Sequence, residues 1–257
     1  MDRAFETKGA TITVSDIGSG EPTFVFLHYW GGSARTWHHV TQALSSTNRC
    51  LALNLRGWGR SVAHDGRYDL DAMAEDAASV IAAERLGRLV LVGHSMGGKI
   101  AQMLAGSALE GLGGLVLVAP APPSPMPVPA EIRAAMLASY QSAEGVAQAL
   151  TVLSRRALAD KDRAMVEADT LRGAEAAKRA WTENGMTADV GGRGSFNGPV
   201  TVVVGDQDQV ERPENLRAAL AETYPQAEFR ILPGIGHLSP LEAPEAIVAA
   251  CRELLPR

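Results

Sequence analysis

The amino-acid sequence predicts an α/β fold, a mostly parallel sheet of about eight strands with helices on both faces. Three observations carry this. Short, nearly continuous apolar runs recur along the 257 residues; segments with helical periodicity separate them; and one run leads straight into the turn Gly93-His94-Ser95-Met96-Gly97. A strand buried on one face alternates apolar and polar residues, whereas one covered on both faces is apolar throughout. Ligands of such sheets bind beyond the carboxyl ends of the strands, so the turns at those ends are where chemistry is sought.

The elements follow in order. Residues 11–17 alternate and are expected as a strand of an early hairpin. Residues 24–27, 50–55, 89–92, 115–118 and 200–204 are the apolar runs, and 229–232 is a shorter one ending at a Pro-Gly turn. Helices are expected at 33–44 after Gly31-Gly32, at 70–86 up to Gly87, and at 98–105 after the serine turn. Those at 213–223 and 244–255 open with proline, which suits the first helical position.

The rhythm breaks after Val118. Residues 119–129 are proline-rich and extended, 130–180 are rich in Ala, Arg and Glu without a strand signal, and glycines at 185, 191, 192, 194 and 198 are expected to loosen the return. Residues 122–197 are therefore expected to form a helical cap inserted between core strands, with 1–121 and 198–257 as the core. The cap's apolar residues need the rim of the core, so it is not expected to fold alone.

Composition removes several classes of function. The net charge is -5 with both signs scattered, and no basic patch with interleaved aromatics provides a footprint for nucleic acid. Cys50 and Cys251 form neither a disulfide framework nor a metal cluster. Residues 1–9 are polar, without the apolar stretch of a signal peptide, and the longest apolar runs are strand-length, so a cytoplasmic protein without a membrane span is expected. The histidines at 28, 38, 39, 64, 94 and 237 form no metal set with acidic neighbours, and the adjacent His38 and His39 are expected to point apart on their helix. Gly57 and Gly59 are mis-spaced for a dinucleotide turn and there is no phosphate-binding loop. Neither metal nor cofactor is expected.

A serine between glycines, after a strand and before a helix, is held at the sheet end with its hydroxyl exposed. That hydroxyl is a weak nucleophile near neutral pH and needs a base and an orienting group. His94 adjoins Ser95 and is expected to pack. His237, in the glycine-rich loop after the last strand, is the expected base, because imidazole accepts and returns a proton near neutrality. Past the 200–204 strand stand two carboxylates, Asp206 and Asp208. Either could accept the second ring N–H of the histidine. Asp206 can instead serve local turn amides, which favours Asp208 slightly. Oxyanion donors are expected from the backbone N–H groups of Met96 and of Trp30, in the loop His28-Tyr29-Trp30-Gly31-Gly32-Ser33.

With these motifs in order, the chain resembles the α/β-hydrolase superfamily over nearly its whole length. The shared features are the histidine-led oxyanion loop, the Arg56-Gly57-x-Gly59-x-Ser61 turn, the serine elbow, the Gly205-x-x-Asp208 turn and the final Gly236-His237. The resemblance implies Ser95 as nucleophile, Asp208 as acid and His237 as base, with Trp30 and Met96 as donors. Two positions depart from the family: Tyr29 where glycine is usual, and Asn54 where the Arg-Gly turn usually has aspartate. The serine nucleophile disfavours the dehalogenases and epoxide hydrolases of the superfamily, which attack with aspartate.

The expected activity is hydrolysis of carboxylic esters of small to medium acyl groups through an acyl-enzyme. Enol-lactone hydrolysis, carbon–carbon bond hydrolysis and cofactor-free perhydrolysis use the same triad and are the alternatives, and a binding protein that keeps the pocket is the reading from a different class. The expected partners are a small ester or lactone and water; monomer and homodimer stay open. His28 is expected to organise the oxyanion loop. Tyr29, Trp30 and Trp37 are expected to give an aromatic entrance, and Met126, Met136, Met165, Trp181, Met186 and Leu238 the apolar pocket.

Overall fold

The structure, a computed structural model, describes residues 2–193 and 196–255. Its strands are β1 (Asp2–Glu6), β2 (Ala10–Ile17), β3 (Thr23–Leu27), β4 (Cys50–Leu53), β5 (Val62–Ala63), β6 (Leu89–His94), β7 (Leu112–Val118), β8 (Val200–Gly205) and β9 (Glu228–Leu232). They form one sheet in the order β1-β2-β4-β3-β6-β7-β8-β9, with β5 pairing β2. From β4 to β9 every neighbouring pair is parallel, while β1, β2 and β5 add an antiparallel edge. The α/β-hydrolase fold is thus present, and among the described residues its sheet has nine strands.

The apolar runs are explained by which way each side chain faces. Along β3, Val25 and Leu27 enter one core cluster while Phe24 and Phe26 enter the other. β4, β6 and β7 divide in the same way: Leu89 and Leu91 of β6 face one layer, Val90 and Val92 the opposite one. The first layer is closed by α2 (Leu70–Ala83) and α3 (Met96–Gly106), through residues such as Met73, Val80, Ile100 and Met103. The second is closed by α1 (His38–Leu44) and α10 (Pro244–Glu253), through Val40, Leu44, Ile247 and Cys251. Fully burying one such aliphatic side chain contributes roughly 1.5–3 kcal/mol, so both faces of the sheet are strongly held.

Several boundaries differ from expectation. β1 lies in a stretch with no apolar face, four of its five residues being exposed, and is held by backbone pairing with β2. The 33–44 helix is split into a 3₁₀ turn, Ala34–Trp37, capped by Ser33, followed by α1. α2 stops at Ala83, just before Arg85 takes a positive φ of 48°, rather than running to Gly87. α8 (Pro213–Leu220) and α10 begin at their prolines and end two or three residues early.

Between β7 and β8 lie α4 (Ala130–Ser139), α5 (Ala143–Leu153), α6 (Asp160–Arg172), α7 (Glu175–Ala180) and a π turn, Trp181–Gly185. The proline-rich exit from β7 runs beside the return segment: the Met126 N–H donates to the Met186 carbonyl and the Val190 N–H to the Pro123 carbonyl, both at 2.8 Å. Gly185 loosens nothing, because a Cβ there would lie 2.5 Å from the Trp181 ring. Gly194, also expected to loosen the return, is outside the described residues. Among the described residues no helix is long and apolar enough to cross a membrane.

Candidate active site

β3 and β6 are central neighbours, and the chain passes from β3 to β4 on one side and then crosses back to β6 on the other. Their carboxyl ends therefore flank a point where the strand order reverses, a natural ligand crevice. His28–Ser33 follows β3 and Ser95 follows β6.

Ser95 has φ 53° and ψ -115°, a left-handed conformation that costs a non-glycine residue about 1–3 kcal/mol. The sheet and helix over-determine it. The Ser95 N–H donates to the Val118 carbonyl at 3.0 Å, and the Ser95 carbonyl accepts from Lys99 at 3.1 Å and Ala121 at 3.0 Å. The flanking glycines serve close approach: a Cβ on Gly97 would lie 2.3 Å from the Leu27 carbonyl oxygen, and one on Gly93 2.5 Å from that of Gly97. Met96 is the first residue of α3, whose leading N–H groups lack carbonyl partners within the helix.

His237 lies on the loop after β9 and is 2% exposed. Its Nδ1 donates to Asp208 Oδ2 at 2.8 Å, which leaves Nε2 of the neutral ring as the acceptor. The other oxygen of Asp208 accepts the N–H groups of Val210 at 2.8 Å and Glu211 at 2.9 Å. Asp206 goes elsewhere. It accepts the Gly234 N–H at 2.7 Å and ties the β8 turn to the β9 turn, 28 residues apart, rather than serving its own turn.

His94 connects serine and histidine. It is fully buried, its Nε2 donates to the His237 carbonyl at 2.8 Å, and the two rings stand 5.0 Å apart. Burial, with His237 close by, pushes its pKa well below 6.5, so it is a neutral positioning residue. His28 is likewise buried and internal. Its Nδ1 donates to the Tyr29 carbonyl at 2.7 Å and its Nε2 accepts the Leu55 N–H at 3.1 Å; burial pushes its pKa down to about 4.

The loop His28–Ser33, expected to supply an oxyanion donor, is gripped by the insertion. Trp30 stacks on Tyr140 with centroids 4.0 Å apart, and its indole N–H donates to the Lys178 carbonyl at 3.2 Å. Tyr140 donates its hydroxyl to the Trp30 carbonyl at 3.2 Å, and Thr170 does the same to the Gly31 carbonyl at 3.0 Å. Ser33 donates to Asp169 at 2.6 Å, and Arg35 pairs with that carboxylate. Tyr29, in the usual glycine position, packs its ring 5.1 Å from that of His94. Asn54 accepts the Ala34 N–H at 2.8 Å and donates to the Thr13 hydroxyl at 2.9 Å, a donation no aspartate carboxylate could make.

The expected apolar pocket is divided between two clusters. Met126, Met186 and Trp181 share a core with Trp30 and Met96, and Met136 packs on it. Leu238 and Tyr29 form a second cluster against which Met165 packs. A cavity of about 10 Å³, room for roughly one water, lies among Met96, Trp181, Gly185, Tyr68, Leu70 and Met73. Trp37 is not at an entrance; it is fully buried beside Phe26.

Other residues of the site leave no local mark in the sequence. Glu242 accepts the N–H groups of Gly236 at 3.1 Å, Arg155 at 2.8 Å and Arg156 at 2.9 Å, and the Leu153 carbonyl accepts those of His237 and Leu238. Glu211 is buried beside Asp208, and burial raises its carboxyl well above the usual range. Lys99, whose ammonium donates to the Ser124 carbonyl at 3.3 Å, is lowered by burial to about 8. The expectation about His38 and His39 is overturned. Their rings lie 3.7 Å apart and both reach Asp162 of α6, 123 residues beyond His39, a partner that spacing cannot reveal.

A sequence model of the alpha/beta hydrolase family matches residues 24–250. The chain belongs to that family. It is 28% identical to a non-heme chloroperoxidase from Kitasatospora aureofaciens over 89% of each chain. To a pimeloyl-[acyl-carrier protein] methyl ester esterase from Aeromonas hydrophila it is 35% identical over 113 residues, 44% of this chain and 42% of the relative. For two of the curated relatives it matches, the chain spans 62% and 42% of their length. Among solved structures, an esterase from Exiguobacterium antarcticum superposes with a TM-score of 0.88 over 98% of both chains at 20% identity, a likeness of fold. The protein is an alpha/beta hydrolase with esterase-like relatives.

Proposed function

We propose that this hydrolase is a serine esterase that cleaves carboxylic esters of small to medium acyl groups through an acyl-enzyme. Ser95 attacks the ester carbonyl while His237 takes its proton at Nε2. The N–H groups of Trp30 and Met96 meet the charge that develops on the carbonyl oxygen. His237 then protonates the leaving alcohol, and water, deprotonated by the same ring, releases the acid and restores Ser95. Asp208 holds the ring tautomer and offsets the imidazolium charge.

The observation that carries this reading is the 2.8 Å hydrogen bond from His237 to Asp208, on a loop held by His94, the residue before Ser95. The esterase-like relatives support the reaction class, and the apolar surroundings of Met96 support an uncharged acyl group. Residues 122–197 serve as a cap over Ser95, and the partners are a small ester or lactone and water.

Two measurements test the proposal. A fluorophosphonate should label Ser95, as read by peptide mass spectrometry, and the Ser95→Ala chain should take no label. A substrate panel should give its highest kcat/KM on short-chain esters, above lactones, vinylogous diketones and peracid formation from acetate and peroxide. Labelling elsewhere, or full turnover by Ser95→Ala, overturns the serine mechanism; a leading lactone or diketone overturns the substrate class alone.

A further inference from the structure

His38 opens α1, His39 follows it, and Asp162 lies in the first turn of α6. His38 Nε2 is 3.2 Å from one carboxylate oxygen of Asp162, and His39 Nε2 is 2.9 Å from the other. Ligand atoms of the three residues all lie within 4.8 Å of one another. The carboxylate is buried while the two imidazoles are 34% and 29% exposed, so the cluster opens to solvent on its nitrogen side.

The hydrogen bonds of His38 define what it lacks. Its Nδ1 is 2.9 Å from the Arg35 carbonyl, which can only accept, so Nδ1 carries the hydrogen. In the neutral ring, Nε2 is then a bare lone pair facing a carboxylate oxygen. Two acceptors at 3.2 Å repel unless positive charge lies between them. The same arrangement is what a metal-bound histidine uses: one nitrogen on the ion, the other N–H on a backbone carbonyl that fixes ring and tautomer. With bonds of about 2.0–2.1 Å in a tetrahedron, ligand atoms stand about 3.3 Å apart. Here the nitrogen–oxygen separations are 3.2 and 2.9 Å, each to a different oxygen of Asp162. One ligand atom from each residue lies within 4.8 Å of the others, so small side-chain movements close the set around an ion. Two imidazoles and one carboxylate suit a borderline-soft ion better than Mg²⁺ or Ca²⁺.

We propose that His38, His39 and Asp162 bind one divalent transition cation of the Zn²⁺ class, leaving a fourth position for water. His39, which donates to Asp162 in the metal-free state, releases its Nε2 proton to solvent on binding. The ion fastens α6 of the insertion to the 3₁₀ turn and α1 of the core. It takes no part in the chemistry at Ser95 and does not depend on the esterase reading.

Calorimetric titration of the metal-stripped full chain with ZnCl₂ tests this. One ion per chain should bind saturably, with no comparable binding of Mg²⁺. Asp162→Asn, His39→Gln and the double variant His38→Gln/His39→Gln should each weaken it at least about tenfold, whereas Ser95→Ala should bind zinc like the natural chain. Co²⁺ should give the visible absorption of a four-coordinate ion in the natural chain and not in the double variant. Melting curves in metal-free buffer identify any variant that fails to fold, and the remaining variants then decide. No saturable zinc uptake by the natural chain, or equal uptake by the folded variants, overturns the site. If Asp162→Asn alters metal-free stability while the natural chain binds no zinc, the charge between His38 and Asp162 is a proton and the metal site is rejected.

Discussion

The two sides of the candidate site draw on the core and the insertion in different ways. On the acid–base side, Asp208 is fixed by N–H groups of its own turn and the His237 carbonyl by His94 of β6, both from the core. The insertion adds backbone contacts there: the Leu153 carbonyl accepts the His237 and Leu238 N–H groups, and Glu242 accepts those of Arg155 and Arg156. On the oxyanion side, Trp30, Gly31 and Ser33 are fixed by Tyr140, Lys178, Thr170 and Asp169, all from the β7–β8 insertion. The difference teaches that the insertion does more than fill the covering role proposed for it. It sets the backbone that aims the proposed Trp30 donor, so changes in it act on the rate as well as on binding.

The largest effects should come from the core side. Replacing Ser95 with Ala should lower kcat on an activated ester at least about 10⁴-fold, and Asp208→Asn about 10⁴-fold by leaving the ring in the wrong tautomer. Steady-state kinetics and circular dichroism together should show lost turnover in a folded chain. Near-normal turnover by Asp208→Asn would break the comparison at its stronger end.

Acid stability probes both sides at once. The unfolded chain protonates His28 near pH 6.5, whereas burial delays protonation in the folded chain to about 4. A depressed folded pKa gives stability that is full above 6.5 and is lost as pH falls toward 4. The loss from His28 alone is about 3 kcal/mol at most, and His94 adds to it in the same direction. Urea midpoints between pH 7 and 4 should fall accordingly, and less steeply for His28→Gln. A flat profile would mean that the two imidazoles are not held neutral.

The smallest effect sharpens the contrast most. Tyr140→Phe removes the donor to the Trp30 carbonyl, a loss of about 1–3 kcal/mol for a buried acceptor. It should reduce kcat up to about tenfold on a minimal acetyl ester while leaving KM within about twofold. A change confined to KM would show that the insertion shapes only the pocket.

The same division marks what the sequence makes legible. Strands covered on both faces reveal themselves as unbroken apolar runs, and Ser95 stands out because it follows such a run; His237 stands out by its glycine-rich loop after the last, partly exposed strand. β1 leaves no such run, because four of its five side chains are exposed and it is held by backbone pairing with β2 and by surface polar contacts such as Arg3 with Asp16. Asp169, Tyr140 and Lys178 lie 110–148 residues beyond the loop they hold, in or just after helices whose local sequence does not name a distant partner. His38 and His39 follow the same rule. Neighbours on an ideal helix diverge, but here they sit at a 3₁₀-to-α junction and converge on one carboxylate from a distant helix.

The exit from β7 and the return toward β8 are bonded to each other through residues 123, 126, 186 and 190. The roof over the sheet therefore stands on a narrow two-ply stem, with the floor complete beneath it. Grafting a relative's helices between those four positions is a route to new selectivity that keeps the nucleophile's seat, provided the graft carries its own replacements for Tyr140 and Thr170.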